Sequence, residues 1–342
     1  MTTTHNLSDV IAEYLDYRRH RLAANTVKSD GYTLRKFLAV VGNFQVKHLT
    51  PRHVDDFFAV RGRTTGQGTR NVDVGNLQSF FRWCRQRRLV PTDFDPTIGY
   101  KSEKALPREK LYIPPRDFPR VLAVAHNPRD RILVALGMYL FLRQSEFCSL
   151  RMRDVDLDSG YITVTRWKTR GRDRLPIFSE LDRELRRWFL HYRAACEVGP
   201  ESYLVPAMSN GSYRGVPGER GLVRVAAGTY LPDTKLLSGW KPARRTLALA
   251  GYPDHREGGH TLRRSGARAY YDVLAASGDS DAMRTIQAWL GHSTIATTEV
   301  YLGIDADKIK RNTLAKGRPM LPDVEAETPD NVRPLRAAGD EG

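Results

Sequence analysis

Apolar residues recur along the first ninety positions at intervals of three and four, the spacing of one buried helix face. Leu7, Val10, Ile11, Tyr14 and Leu15 make the first such stripe. A second, opening near Asn25-Thr26, carries Val27, Tyr32, Leu34, Phe37 and Leu38. Thr50-Pro51 opens a third in the order cap, then first-turn proline, and Val54, Phe57, Phe58 and Val60 come after it. Thr69 begins a fourth with Val72, Val74, Leu77, Phe80, Phe81 and Trp83. Residues 7–90 therefore predict a compact all-helical domain. The periodicity then stops. Pro91, Pro96, Pro107, Pro114 and Pro115 punctuate a stretch with Lys101, Lys104, Arg108 and Lys110 between them. Proline with charge and no period predicts a linker between domains.

A different pattern starts near Arg116. Ile132 to Leu142 is almost continuously apolar and predicts a buried helix ending beside Arg143. Asp158-Ser159-Gly160 marks a turn, and the β-branched run Tyr161-Ile162-Thr163-Val164-Thr165 predicts a strand. A basic hairpin tip comes next, Trp167 to Arg174, before a return strand Leu175-Pro176-Ile177-Phe178 in which Pro176 requires an edge position. Residues 180–196 predict an amphipathic helix, and 199–240, rich in Gly, Ser and Pro, a long loop with one or two short elements. Helices are expected again over 241–250, from His260 with Leu262, Ala269 and Val273 facing a core, and over 304–315. The expected fold is mainly α with a small β-sheet.

One stretch near the C-terminus combines two helices at a corner: Ile286 to Leu290, then Gly291-His292-Ser293-Thr294, then Ile295 to Tyr301. Gly291 supplies the left-handed turn that ends a helix. Ser293 or Thr294 can cap the next. His292 then sits at the corner, with Tyr301 about two turns further on.

Composition narrows the class. The 342 residues exceed what one core usually serves, so two domains are expected. A net charge of +15 points to a polyanionic partner, nucleic acid foremost. Three cysteines, Cys84, Cys148 and Cys196, are far apart, without metal-ligand spacing, and fit a reducing compartment. The N-terminus lacks a signal-peptide pattern, and no run of about 20 apolar residues could span a membrane. Beyond Pro319 six acidic residues stand against two basic ones, predicting a disordered acidic tail.

Several candidates carry chemistry. Arg143 beside an apolar helix is costly unless paired or serving an anionic ligand, and Glu146, three residues on, is a local partner. His260 and Arg263 share a face at a helix start, where free N–H groups favour anions. Arg82, Arg85, Arg87 and Arg88 at the end of the fourth helix either face DNA or complement the helix C-terminus. The hairpin arginines either enter a DNA groove or protect a sheet edge. Zinc spacing, a Walker loop and a dinucleotide glycine fingerprint are absent. What remains is a tyrosine with cations and imidazoles, the parts for metal-free phosphoryl transfer.

The motifs Leu142-Arg143-Gln144-Ser145-Glu146-Phe147-Cys148-Ser149-Leu150, His260-Thr261-Leu262-Arg263 and Leu290-Gly291-His292-Ser293 with Thr298-Glu299-Val300-Tyr301 resemble, in order and spacing, those of the tyrosine recombinase (phage integrase) family. The resemblance implies an N-terminal helical core-binding domain over 1–95, a linker over 96–115, a catalytic domain over 116–318 and a tail over 319–342. It implies that Tyr301 attacks the scissile phosphate of double-stranded DNA, forming a 3′-phosphotyrosyl link. Arg143 and Arg263 would clamp the non-bridging oxygens, Lys168 would protonate the departing 5′-oxygen, His260 would assist proton transfer, and His292 would hydrogen-bond the phosphate. Glu146 would brace Arg143. DNA contacts are expected from Arg82, Arg85, Arg88, Lys101, Lys104, Arg170, Arg172 and Arg174. Neither metal nor cofactor is required. The implied protein is a site-specific recombinase acting as a homotetramer through a Holliday junction, in the cytoplasm of a bacterium or of a phage's host, integrating or excising a mobile element. A Xer-type resolvase shares the chemistry. A type IB topoisomerase has similar chemistry, but the short His292–Tyr301 spacing and small helical N-domain favour a recombinase. A DNA-binding regulator with a dead site need not keep all six residues. Departures from the family's pattern include Arg264 directly after Arg263, where a His is common, the length of residues 199–257, and the acidic tail where relatives carry a segment that docks onto a neighbouring subunit.

Overall fold

The computed structural model describes residues 5–104, 110–166, 171–215, 222–252 and 258–304. The chain divides into two compact units, Met1–Glu109 and Lys110–Gly342.

The first unit contains helices α1 (Leu7–Arg19), α2 (Ala24–Val41), α3 (Pro51–Gly62) and α4 (Gln67–Gln86). Most positions of the predicted stripes form its core, but Tyr32, Val60 and Val72 face outward, about half exposed, off the buried side of their helices. Leu7, Leu34, Phe37, Phe57, Leu77, Phe80 and Phe81 are completely buried, and Phe37 meets Phe57 edge-to-face at 5.4 Å. Thr50 and His53 cap α3 reciprocally ahead of Pro51. A buried carboxylate, Asp73, accepts from the Thr33 hydroxyl at 2.7 Å and from Arg61 Nε at 2.8 Å, joining three helices. The stretch expected as a linker is divided. Tyr100 stacks on Phe58 at 4.6 Å and donates to Asp55 at 2.6 Å. Asn71 bonds the Glu103 main chain in both directions. Residues 96–104 thus fold back onto this unit, and 110–115 join the next. The aromatic residue supplies a reason: Tyr100 buries one ring face that charge and proline counts do not register.

The second unit is built around α6 (Pro128–Tyr139), whose Ile132–Leu136 and Met138 are buried. Asn127 caps it by accepting from the Asp130 N–H. It packs on α5 (Phe118–Ala123), α8 (Ser179–Ala195), α9 (Trp240–Leu249) and α10 (Gly259–Ala276). At the α6–α10 crossing a Cβ on Gly266 would lie 1.7 Å from the Met138 carbonyl oxygen, so the two helices meet backbone to backbone. α6 ends three residues earlier than Leu142, because Phe141 takes φ +53° and turns the chain into short α7 (Gln144–Phe147).

β1 (Val155–Asp156), β2 (Tyr161–Arg166) and β3 (Gly171–Pro176) form an antiparallel sheet in that order, with Tyr161 opposite Pro176 and Arg166 opposite Gly171. Pro176 lies on the outer strand, where its missing N–H costs no ladder bond. In place of the expected long loop with one or two short elements, the described residues of 199–240 hold four strands: β4 (Pro206–Met208) pairs with β7 (Tyr230–Lys235), and β5 (Tyr213–Gly215) with β6 (Leu222–Arg224). Three of these are only three residues long, too short to show alternation. Val273, expected to face a core, is instead 62% exposed. The chain continues through α11 (Ala282–Leu290) and α12 (Ile295–Leu302). The tail and the helix expected over 304–315 lie, beyond Ile304, outside the described residues.

Candidate active site

Three chain turns of the second unit converge. The first is the Phe141–Arg143 bend. Arg143 takes the N-cap position of α7, and Glu146 reaches back to it. One Glu146 oxygen accepts the Arg143 N–H at 2.7 Å and the other accepts its guanidinium at 3.0 Å. The second is the Leu290–Thr294 corner. Gly291 is left-handed (φ +60°, ψ +45°), ending α11, and Thr294 caps α12 by accepting from the Thr297 N–H at 3.3 Å. The third is the start of α10, which carries His260 and Arg263.

Arg263 is 1% exposed. It donates to the Phe141 carbonyl, to the Leu290 carbonyl at 2.5 Å and to Glu146 at 3.4 Å, so one guanidinium joins all three turns. Burial pulls its pKa down to about 10, against the opposing effect of the Tyr301 side chain; it stays protonated at neutral pH. Burial pushes the Glu146 carboxyl up, but Arg166 and Arg263, the Arg143 N–H and the Arg143 charge outweigh it and hold the group below its ordinary value.

Tyr301 lies on the last turn of α12 with its hydroxyl donating to the His260 main-chain oxygen at 3.3 Å. Its ring is 6.0 Å from the Arg263 guanidinium carbon and 5.9 Å from that of Arg264. The His292 ring meets it edge-on at 5.3 Å, and His292 Nδ1 is 3.1 Å from the Thr298 hydroxyl. Burial raises the Tyr301 hydroxyl above its ordinary value, while Arg263, Arg264 and Arg143 pull it down. The site is therefore a phenol facing a cluster of fixed cations, suited to an anion that the phenol attacks.

Five of the six expected site residues lie together here: Arg143, His260, Arg263, His292 and Tyr301. Lys168 lies outside the described residues, as does Arg170. Of the other expected DNA contacts, Arg82, Arg88, Lys101, Lys104, Arg172 and Arg174 are exposed. Arg172 and Arg174 belong to β3 itself, not to the hairpin tip. Arg85 is turned inward, donating to the Phe94 carbonyl at 2.6 Å and lying 3.5 Å from Asp95. That contact is a consequence of the chain folding back after α4. Among the described residues no cluster of three His, Cys, Asp or Glu side chains could hold a metal ion.

Sequence reasoning missed Arg166. It is 2% exposed and donates to Glu146 at 2.9 Å, to Asp173 at 2.8 Å and to the Trp289 carbonyl at 2.6 Å. It ties the sheet to both α7 and the α11 corner. The signal was present: Ile162, Val164 and Arg166 fall on one face at a spacing of two, and the first two are fully buried. A cation closing an inward strand face announces a buried partner.

The family model described as "Phage integrase family" matches residues 112–308. A tyrosine recombinase of Pseudothermotoga lettingae is 23% identical over 303 residues, covering 86% of this chain and 93% of that protein. Tyrosine recombinase XerC of Xanthomonas axonopodis pv. citri is 28% identical over 310 residues, covering 86% and 88%. Among solved structures, a lambda integrase tetramer bound to a Holliday junction aligns with a TM-score of 0.63 at 12% identity, covering 88% of this chain and 78% of that one. At that identity the likeness speaks for the fold alone.

Proposed function

The chain belongs to the phage integrase family and is a tyrosine-type DNA recombinase, and from that premise we propose that Tyr301 cuts and rejoins DNA to integrate or excise a mobile element. The observation that carries the assignment of Tyr301 is its placement: one phenol within 6.0 Å of two guanidinium carbons, beside an imidazole.

Tyr301 Oη attacks the scissile phosphorus, forming the phosphotyrosyl bond as the bond to the 5′-oxygen breaks. The Tyr301 proton passes to the His260 imidazole, and Lys168 gives a proton to the departing 5′-oxygen. Arg143 and Arg263 hold the non-bridging oxygens as charge builds, where the planar guanidinium offers two-point contact. Arg143 is the more accessible, its side chain 21% exposed against 1% for Arg263. Arg263, through the Phe141 and Leu290 carbonyls, also fixes the turns around the phosphate. His292 completes the cradle from the corner. Religation reverses the steps with a new 5′-hydroxyl, conserving the bond energy without metal or nucleotide.

The exposed cations Arg82, Arg88, Lys101, Lys104, Arg172 and Arg174 are proposed to meet the phosphate backbone. A homotetramer on paired sites is proposed by analogy with the junction-bound neighbour, and action in the cytoplasm with the DNA. No helix among the described residues is long and apolar enough to cross a membrane. A second reading, a Xer-type resolvase, draws support from the likeness to XerC over most of both chains.

The test is covalent capture. Wild-type protein is incubated with a random-sequence duplex library and denatured, and the attached DNA is recovered and read. Protein-linked DNA of a defined sequence, lost in Tyr301→Phe while binding persists, supports the assignment. Wild-type levels of adduct in Tyr301→Phe, or none with the wild type, overturn it. Capture from genomic fragments separates the two readings: repeats bounding a mobile element favour an integrase, one chromosomal locus a resolvase.

A further inference from the structure

Helix α12 is eight residues long, and only Thr298 and Leu302 of it are buried. So short a helix has little apolar anchorage, and its last carbonyls have no intrahelical donors. Three consecutive ones are held from outside. Lys110 Nζ donates to the Val300 carbonyl, Tyr112 Oη to the Tyr301 carbonyl at 3.0 Å, and Arg268 to the Leu302 carbonyl at 3.0 Å. Two of the three donors come from one strap, residues 110–113, which runs past the end of the helix.

That strap is itself fixed to α10. The Ile113 N–H donates to the buried Ser265 hydroxyl at 2.9 Å, and Arg264 donates to the Leu111 carbonyl at 3.4 Å. The Arg264 guanidinium lies between two rings, 5.5 Å from Tyr112 and 5.9 Å from Tyr301. Gly303 accommodates the arrangement. It is left-handed at φ +66°, and a Cβ there would stand 2.5 Å from the Tyr112 hydroxyl. The Tyr301 main chain is therefore referenced to the same helix that carries His260 and Arg263, through the hydroxyl of Tyr112.

We propose that Tyr112 is a positioning residue for Tyr301, its hydroxyl setting how far the attacking phenol stands from the guanidinium cluster. The proposal rests on reading Tyr301 as the nucleophile. Tyr112→Phe removes one oxygen, keeps the ring against Arg264, and leaves the Tyr301 carbonyl to water. The helix end can then drift, and a displacement of about 1 Å is enough to cost one to two orders of magnitude in rate.

The experiment uses the full chain and a nicked duplex carrying the site recovered by wild-type covalent capture, so that attachment cannot reverse. Tyr112→Phe is expected to slow single-turnover attachment at saturating DNA by about ten- to a hundredfold, with the half-saturating DNA concentration and the melting temperature unchanged. A second substrate replaces the scissile 5′-oxygen by sulfur, which leaves without a proton. It is not expected to restore the variant's rate, because the defect lies with the attacking group. Attachment by Tyr112→Phe within about twofold of wild type, or full restoration by the sulfur substrate, overturns the inference alone. Failure of the wild type to attach overturns the proposed function, and this inference with it.

Discussion

Glu146 grips Arg143 at two points, the main-chain N–H at 2.7 Å and the guanidinium at 3.0 Å, while staying 3% exposed. The same carboxylate meets Arg166 at 2.9 Å and Arg263 at 3.4 Å. One negative charge thus serves three cations, two of them fully buried. Glu146→Gln would take the carboxylate from Arg263 and leave Arg166 only the half-exposed Asp173 at 2.8 Å, and breaking a buried ion network in this way costs about 3–5 kcal/mol. Urea unfolding of the full chain should show the second unit's transition moving to lower denaturant and the first unit's staying in place. Equal loss in both would contradict the separateness of the two cores.

Acid sensitivity stems from the same group. Its pKa is depressed in the folded protein, so the stabilisation is present above the ordinary value of 4.5 and is lost as pH falls through the lower folded value. Melting temperature should therefore decline below about pH 4.5 more steeply in the wild type than in Glu146→Gln, which has no proton to gain there. Parallel acid limbs in the two proteins would remove Glu146 as the cause.

Arg166 makes a contrasting pair with its second partner. Arg166→Lys keeps the charge but cannot reach Glu146, Asp173 and the Trp289 carbonyl together, and a loss of about 2–3 kcal/mol is expected. Asp173→Asn should cost under about 1 kcal/mol, because that carboxylate is 42% exposed and solvent screens it. Thermal or chemical unfolding of both variants checks the order, and a reversed order would place the strength of the network at the sheet edge.

Two glycines separate strain from crowding. At Gly291 a Cβ would meet nothing closer than 3.8 Å, so Gly291→Ala suffers only from the left-handed φ, about 1–2 kcal/mol. At Gly266 the φ is ordinary but a Cβ would stand 1.7 Å from a carbonyl oxygen, and Gly266→Ala should cost about 3 kcal/mol or more. Unfolding free energies of the two variants test the ranking. Soluble Gly266→Ala protein of wild-type stability would show that α6 and α10 can separate freely.

DNA binding should weaken steeply with salt. If six backbone phosphates are neutralised, affinity is expected to fall about a thousandfold between roughly 50 and 200 mM salt. Titrations with a captured-site duplex measure the slope, and Arg172→Ala should lower it by about one unit. A flat salt response would exclude the exposed cations from the interface.

Much of this architecture is legible in the chain. Most positions of the four apolar stripes form the core of the first unit, Tyr32, Val60 and Val72 excepted, and Gly291 and Thr294 do at the corner what glycine and threonine do at helix ends. Arg143, His260, Arg263, His292 and Tyr301 could be grouped by motif because each stands at a turn or a helix terminus, where local rules apply. Arg166, Arg264 and Tyr112 were not grouped with them. Their partners lie mostly far away along the chain, and no periodicity reports a contact between a strand, a strap and the end of a distant helix. The strands between residues 206 and 235 escape for a related reason, since each pairing joins only three residues of one strand to three of the other, too few to display a period.

The close approach of Gly266 to Met138 has a thermodynamic consequence. Two helices locked backbone to backbone cannot slide, so the turns carrying Arg143 and Arg263 lose their freedom when the second unit folds, and no further ordering entropy opposes their use on a bound anion. α12 sits at the other extreme, attached by carbonyl hydrogen bonds and two buried side chains. Its local opening should be governed by a far smaller free energy than that of the α6–α10 pair, visible as early amide exchange over residues 295–302 against late exchange in α6.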